Sequence, residues 1–295
     1  MSKILVCGLL NLETTVNVRE FPVHYSPIEY PFNQVGVFVG GVGFNVAKAL
    51  KVLGDDICLC SFLGDDLAGK SVRLALEEIG IDDSLVIDGL ASTPTSVVLY
   101  DEKGDRKIYC DLKDCQEKEY PSDLPYRNFD IAVLANANFS RPLLKKAKEA
   151  GLKIATDVQA LGDVADSYNA DFMEAADILF LSNVCHQGDE ERFIRGIEDT
   201  YHNEIIAMGL GEKGALLYLK EEDSFTFFPA VNPRPVVSTV GAGDSLFSCF
   251  VHYLSKGANP KIAMQKAVYF AGYKIGEKGA SVGFLSEKEL DEKTK

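Results

Sequence analysis

The chain has 295 residues, of which 46% are hydrophobic and 25% charged, and its 30 basic and 44 acidic side chains leave a net charge of −14. That length suits one large α/β domain or two smaller ones and can bury a sizeable core. The acidity excludes a face that neutralises nucleic-acid phosphates and a polybasic membrane anchor, but not a small anionic ligand, which helix N-termini hold without net positive charge.

In chain order, Lys3–Leu10 is a short apolar run that predicts a buried strand. Residues 14–39, with Pro22, Pro27 and Pro31, read as strands or loops leaving the core. Gly40–Gly43 is a glycine turn, and Asn45–Leu53 has helical spacing. Ile57–Phe62 predicts a second buried strand, and Leu67–Ile79 an amphipathic helix. Ser96–Tyr100 and Lys107–Cys110 flank a hairpin whose turn is marked by Lys103-Gly104. From Asp130 the patterns alternate. Strands at Ile131–Leu134, Lys153–Thr156, Ile178–Leu181 and Glu204–Met208 are separated by helices at Arg141–Ala150, Asp166–Ala176 and Asp189–Thr200. Such alternation implies a parallel sheet with helices on both faces. A further hairpin follows at Ala215–Leu219 and Ser224–Phe228, then helices at Asp244–Lys256, Pro260–Lys278 and Ser286–Lys293. With no low-complexity linker and no internal repeat, residues 1–295 read as a single domain. Segments of about 12–39 and 93–112 are expected to form a small sheet over one edge.

The seven cysteines lack any C-x-x-C spacing and mostly sit in apolar runs, which suits reduced thiols rather than disulfides or zinc. The four histidines show no metal-like clustering, so no metal ligands are assigned. Met1–Leu10 is too short for a signal segment, and no stretch approaches the roughly 18 apolar residues of a membrane span. A cytoplasmic location is expected.

The most informative segment is Ser238-Thr239-Val240-Gly241-Ala242-Gly243-Asp244, which leads into a predicted helix. Glycines at a helix start let backbone N–H groups converge on an anion, and the helix dipole favours negative charge there. Asp244 beside such a hole suits a base that takes a proton from a hydroxyl while a phosphoryl group is held in line; the plain alternative is an N-cap. Gly40-Gly41-Val42-Gly43-Phe44-Asn45 is a second turn of this kind. Its glycines permit close backbone approach, and Asn45 offers a donor and an acceptor to a sugar hydroxyl, against a tight turn capped by Asn45. Asn11 and Glu13 end the first strand, where open α/β sheets bind ligands, and suit vicinal hydroxyls; the alternative is a solvated loop. Gly209-Leu210-Gly211-Glu212-Lys213-Gly214 fits G-x-G-x-x-G, but strand-like Ala215–Leu219 follows where a dinucleotide fingerprint needs a helix. A dehydrogenase is therefore excluded, and the absence of G-x-x-x-x-G-K-[ST] removes a P-loop.

Together and in this order, these segments resemble the ribokinase-like (PfkB-type) carbohydrate and nucleoside kinases. The resemblance extends to Gly64-Asp65-Asp66 with Gly69, to Thr93-Pro94-Thr95, to the 101–106 hairpin and to Lys278-Gly279-Ala280, so it covers nearly the whole chain. It implies a three-layer α/β/α sandwich with a mainly parallel central sheet and a small β lid that closes over substrate and pairs into a homodimer. It also implies ATP-dependent phosphorylation of a hydroxymethyl group, with Mg2+ bridging the phosphates. Asp244 is then the base, and Gly241, Ala242 and Gly243 form the anion hole. Asn11, Glu13, Gly40, Gly41 and Asn45 fall on the substrate side. Asn183 and the turn carrying Gly209, Gly211 and Gly214 fall on the nucleotide side.

Four positions depart from the family pattern. Glu13 stands where an aspartate is usual. Ser238 replaces the first aspartate of D-T-x-G-A-G-D, which helps hold a monovalent cation, and so argues against K+ activation. His186 replaces the carboxylate of N-x-x-E after Asn183, and reads as a surface histidine without a role. Gly209 replaces a threonine. Val42 stands where phosphosugar kinases often carry lysine, so an unphosphorylated sugar is the expected acceptor. Phe44, Val42, Leu12, Phe32 and Phe38 suggest an apolar rim that stacks a nucleobase, which keeps a nucleoside as the second substrate. A catalytically weak sugar- or nucleotide-binding regulator is the non-enzyme alternative.

Overall fold

The computed structural model describes every residue except 103 and 104, so the expected Lys103-Gly104 turn lies outside the described residues. The first half of the chain forms β1 (Lys3–Cys7), β2 (Asn11–Asn17), β3 (Val35–Gly40), α1 (Val42–Leu53), β4 (Asp56–Gly64), α2 (Leu67–Glu78), β5 (Val86–Leu90), β6 (Thr95–Tyr100) and β7 (Arg106–Asp111). Next come β8 (Ile131–Leu134), α3 (Arg141–Glu149), β9 (Ile154–Ala160), α4 (Ala170–Ala175), β10 (Ile178–Ser182), α5 (Glu190–Tyr201) and β11 (Ile205–Gly209). The chain closes with β12 (Gly214–Leu219), β13 (Ser224–Pro229), α6 (Ala242–Ser255), α7 (Pro260–Lys274) and α8 (Glu287–Lys293).

Among the described residues the strands form two sheets. The larger has the order β13-β12-β11-β10-β9-β8-β1-β4-β5. From β11 to β5 every pairing is parallel, and only β12 and β13 run antiparallel. Strands buried on both faces need apolar side chains at every position, and the runs IAVL of β8 and ILFL of β10 meet that need. Strand alternation splits β1 between two cores. Ile4 and Val6 pack with α1, α2, α6 and α7, while Leu5 and Cys7 pack with α3, α4 and α5. Fully burying one such side chain is worth about 1.5–3 kcal/mol, so helix cover on both faces stabilises the sheet throughout. No helix among the described residues is long and apolar enough to cross a membrane.

The parallel strands end at one edge, where ligands of open α/β sheets bind. The smaller sheet, ordered β3-β2-β6-β7, starts from that edge. Its register groups the side chains by face. Phe38, Glu13, Ser96 and Cys110 form one row across the four strands, and Val37, Thr14, Val97 and Tyr109 form the adjacent row on the opposite face.

Several boundaries differ from the sequence expectation. Residues 166–169 form a turn, because Asp166 Oδ1 accepts from the Asn169 amide at 2.8 Å and competes with helical bonding. The last long helix stops at Lys274 rather than 278, just before Gly276 and Gly279, the latter with φ +88°. The first strand ends at Cys7, and β9 runs on to Ala160. β5 is an edge strand that escapes the pattern, because Asp88-Gly89 interrupts its apolar run.

Candidate active site

The N-termini of α1 and α6 meet at the carboxyl edge of the large sheet. Each helix is entered through a glycine with positive φ, Gly41 at +89° and Gly241 at +77°. A Cβ at either position would lie 2.3 Å from a carbonyl oxygen, that of Leu9 or Ala280 respectively, so no side chain fits. Neither helix has a side-chain cap. Asn45 and Asp244 therefore sit inside first turns, which overturns the capping alternative for both. They bind each other instead: Asn45 Nδ2 donates to Asp244 Oδ2 at 2.7 Å.

This bond gives the Asp244 carboxylate a fixed direction. Burial pushes its pKa up, while the Asn45 donor and the charges of Lys274 and Arg106 oppose the shift. Glu13, on β2, is also raised, first by burial and then by the charge of Asp244, against Lys274 and the Ser96 hydroxyl. Asn11 Nδ2 donates to Ser96 Oγ at 3.0 Å. A Cβ on Gly40 would come within 3.1 Å of Asn11 Oδ1, so the glycine keeps the floor open. Three acceptors in this cluster, Asn11 Oδ1, Glu13 Oε1 and Asn45 Oδ1, are buried without a donor. Buried acceptors without partners are costly, and a ligand rich in hydroxyl donors satisfies them.

On the α6 side, the space beside Gly243 is open. The Ala242 amide, however, donates to Thr239 O at 3.2 Å. That amide is engaged within the turn. Asp157, midway along β9, faces the same region; burial and the Asp244 charge push its pKa up to about 6, against the Gln159 amide.

The expected nucleotide side lies along neighbouring strand ends. Asn183 follows β10 directly, and its Nδ2 donates to Glu190 Oε1 at 3.2 Å. A carboxylate thus meets Asn183 from four residues beyond the position that His186 occupies. His186 is half-buried rather than a free surface group: it stacks on Phe193 at 3.4 Å between centroids and contacts Leu161 O through Nε2 at 3.1 Å. Gly209 ends β11, Gly211 lies in a single helical turn and Gly214 opens β12, with φ +122°. The strand after Gly214 agrees with rejecting a dinucleotide fingerprint. No group of three or more His, Cys, Asp or Glu able to hold a metal occurs among the described residues.

The apolar rim does not assemble. Phe44 is 2% exposed in the core, Phe32 is 83% exposed, and Phe38 lies beside Gly279. Conversely, Ser96, Arg106, Asp157, Glu190 and Lys274 escape the sequence reading. Lys274 carries a usable signal: it continues the 263, 267, 270 spacing of the buried face of α7.

The family profile described as "pfkB family carbohydrate kinase" matches residues 1–287. A deoxyribokinase of Salmonella typhi is 24% identical over 304 residues, covering 98% of this chain and 97% of its own. Among solved structures, a microbiome-derived acarbose kinase superposes with a TM-score of 0.88 at 22% identity, covering 99% and 98% of the two chains. Arabidopsis thaliana ribokinase complexed with ribose and ATP gives 0.83 at 19% identity, over 100% and 99%.

Proposed function

We propose that this chain, which belongs to the pfkB family of carbohydrate kinases, transfers the γ-phosphoryl group of ATP to a hydroxymethyl group of an unphosphorylated sugar. The observation that carries the choice of acceptor is the trio of unpartnered acceptors, Asn11 Oδ1, Glu13 Oε1 and Asn45 Oδ1. Vicinal hydroxyls supply the donors these atoms need, whereas a substrate phosphate brings only acceptors and meets the charges of Glu13 and Asp244.

In the mechanism, Asp244 takes the proton of the attacking hydroxyl. Its desolvation raises its basicity, and Asn45 aims the carboxylate. The turn Gly241–Gly243 receives the transferring phosphoryl at the positive end of the α6 dipole, with Gly243 leaving room for it. Gly40 and Gly41 let the sugar approach the backbone. Asn183, Gly209, Gly211 and Gly214 border the nucleotide. Mg2+ bound with ATP would neutralise phosphate charge, and the carboxylates of Asp157 and Glu190 would be the ones available to hold its waters. The chain then acts as one catalytic unit over residues 1–295. Its small sheet serves as a lid whose Glu13 row faces the sugar and excludes water.

The other face of that lid supports a homodimer. Val37, Val97 and Tyr109 lie in one row and are 62%, 39% and 52% exposed. A second copy would cover this apolar row. The seven free thiols suit a reducing, cytoplasmic compartment.

The test is ADP release with a panel of free sugars, phosphosugars and nucleosides. A free sugar is expected to give the highest kcat/KM. A phosphosugar or nucleoside preference overturns the choice of acceptor, and ligand-induced stabilisation without any turnover would indicate a binding regulator.

A further inference from the structure

The loop that enters α6 is held from behind by the end of α7. The amides of Val237 and Ser238 both donate to Ile275 O, at 2.8 and 3.0 Å. Lys274, the last residue of α7, is 0% exposed, and its Nζ donates to the carbonyl oxygen of Val240, the residue before Gly241. That hydrogen bond goes to a neutral carbonyl, and no ion pair of Lys274 within 4.0 Å of a carboxylate is found among the described residues. Its charge acts on both Asp244 and Glu13. A fully buried lysine without a contacting counterion is costly unless the charge has a use.

We infer that the Lys274 ammonium is the resident cation of this site: it braces the Val240–Gly241 peptide and balances Asp244 and Glu13, in place of a bound monovalent ion. Lys274 is a positioning residue, since it reaches the reacting groups through Val240 and through its field. A monovalent ion there would compete with the ammonium. The ammonium already takes the Val240 carbonyl, and position 238 offers a hydroxyl, not the carboxylate an ion would use. The neighbouring charge of Arg234, which is itself paired with Glu277 at 3.0 Å and bonded to Tyr273 O, further opposes a second cation.

The inference rests on the kinase reading with Asp244 as base, and its consequences are separable from that reading. The groups facing Lys274 are Asp244 from α6, Glu13 from β2 and Arg234 from the preceding loop; burial above all lowers its pKa to about 8, with the two carboxylates opposing and Arg234 assisting. Lys274 is charged below that pH and neutral above it. The expected kcat profile therefore falls as pH rises through about 8.

The test compares wild type with Lys274→Met and Lys274→Ala in KCl, NH4Cl, methylammonium chloride and tetramethylammonium chloride at equal ionic strength. Wild-type kcat and Tm are expected to be alike in all four salts. Both variants are expected to lose about a hundredfold in kcat with little change in KM for ATP. In Lys274→Ala, NH4+ or methylammonium is expected to restore at least about tenfold and to raise Tm, and in Lys274→Met the alkaline limb disappears. Wild type activated or stabilised several-fold more by K+ than by tetramethylammonium overturns the inference, as does a Lys274→Met variant with near-normal kcat. If no acceptor supports wild-type turnover, the kinase reading fails alone, because the Tm comparison across salts still tests Lys274.

Discussion

Asp244 and Asn45 are each legible in the sequence as members of glycine turns. Their mutual bond is not, because it joins positions 199 residues apart. The bond has a kinetic consequence. As the proposed base, Asp244 must be ionised to act, so activity is expected to rise with pH through its pKa, which Asn45 holds down against burial. Asn45→Ala is expected to shift the acid limb of kcat/KM to higher pH, measured with the best sugar. Asp244→Asn is expected to lose about a thousandfold in kcat with ATP binding retained, and near-normal turnover would remove it from the base role. Asp157 is a residue that no motif announces, since a single aspartate just after the predicted strand Lys153–Thr156 looks like any loop carboxylate. Its folded pKa of about 6 exceeds the ordinary 3.8, so stability is lost as pH rises through that window. Asp157→Asn should raise Tm by a few degrees near pH 7.5, and the gain should vanish below about pH 4.

At the scale of elements, the sequence reads well where periodicity and glycine agree. α1, α2, α6, β4 and β13 fall close to their predicted spans. It fails where a side chain or an edge decides. Asp166 delays the start of α4, and β5 has neighbours on one side only. The lid register is invisible in the same way, because each strand is patterned alone while the rows exist only after pairing. Those rows separate two experiments. Val37→Asp with Val97→Asp places charge on the outer row and should convert a dimer to a monomer in light scattering; a monomeric wild type removes the dimer. Gly241→Ala strains a left-handed residue and meets Ala280 O at 2.3 Å. It should cost at least about 2 kcal/mol and abolish transfer, whereas Gly209, with no atom closer than 3.9 Å to a Cβ, should accept alanine.

For the whole molecule, a net charge of −14 repels an anionic nucleotide at long range. The site answers with short-range features: helix N-termini, glycine amides and one buried ammonium. Long-range repulsion is screened by salt and short-range binding much less so. The KM for MgATP is therefore expected to fall as ionic strength rises from about 10 to about 150 mM, the reverse of a site lined by exposed cations. A KM that rises over this range would show that surface charge attracts the nucleotide.

The pairing of β2 with β6 joins residues about eighty positions apart, from Leu12 with Thr95 to Asn17 with Tyr100. That separation gives the lid a history. Its central pair cannot close until α1, β4, α2 and β5 have brought the two strands together, and loop closure of that length is slow. On this count the lid is expected to form after the β1–β4 pair, whose partners lie 53 positions apart, and to open before it in the native protein. In hydrogen exchange, amides of β2 and β6 should become protected after those of β1 and β4, and should exchange at lower free energy. A refolding chain would hold both core layers while still unable to enclose a sugar.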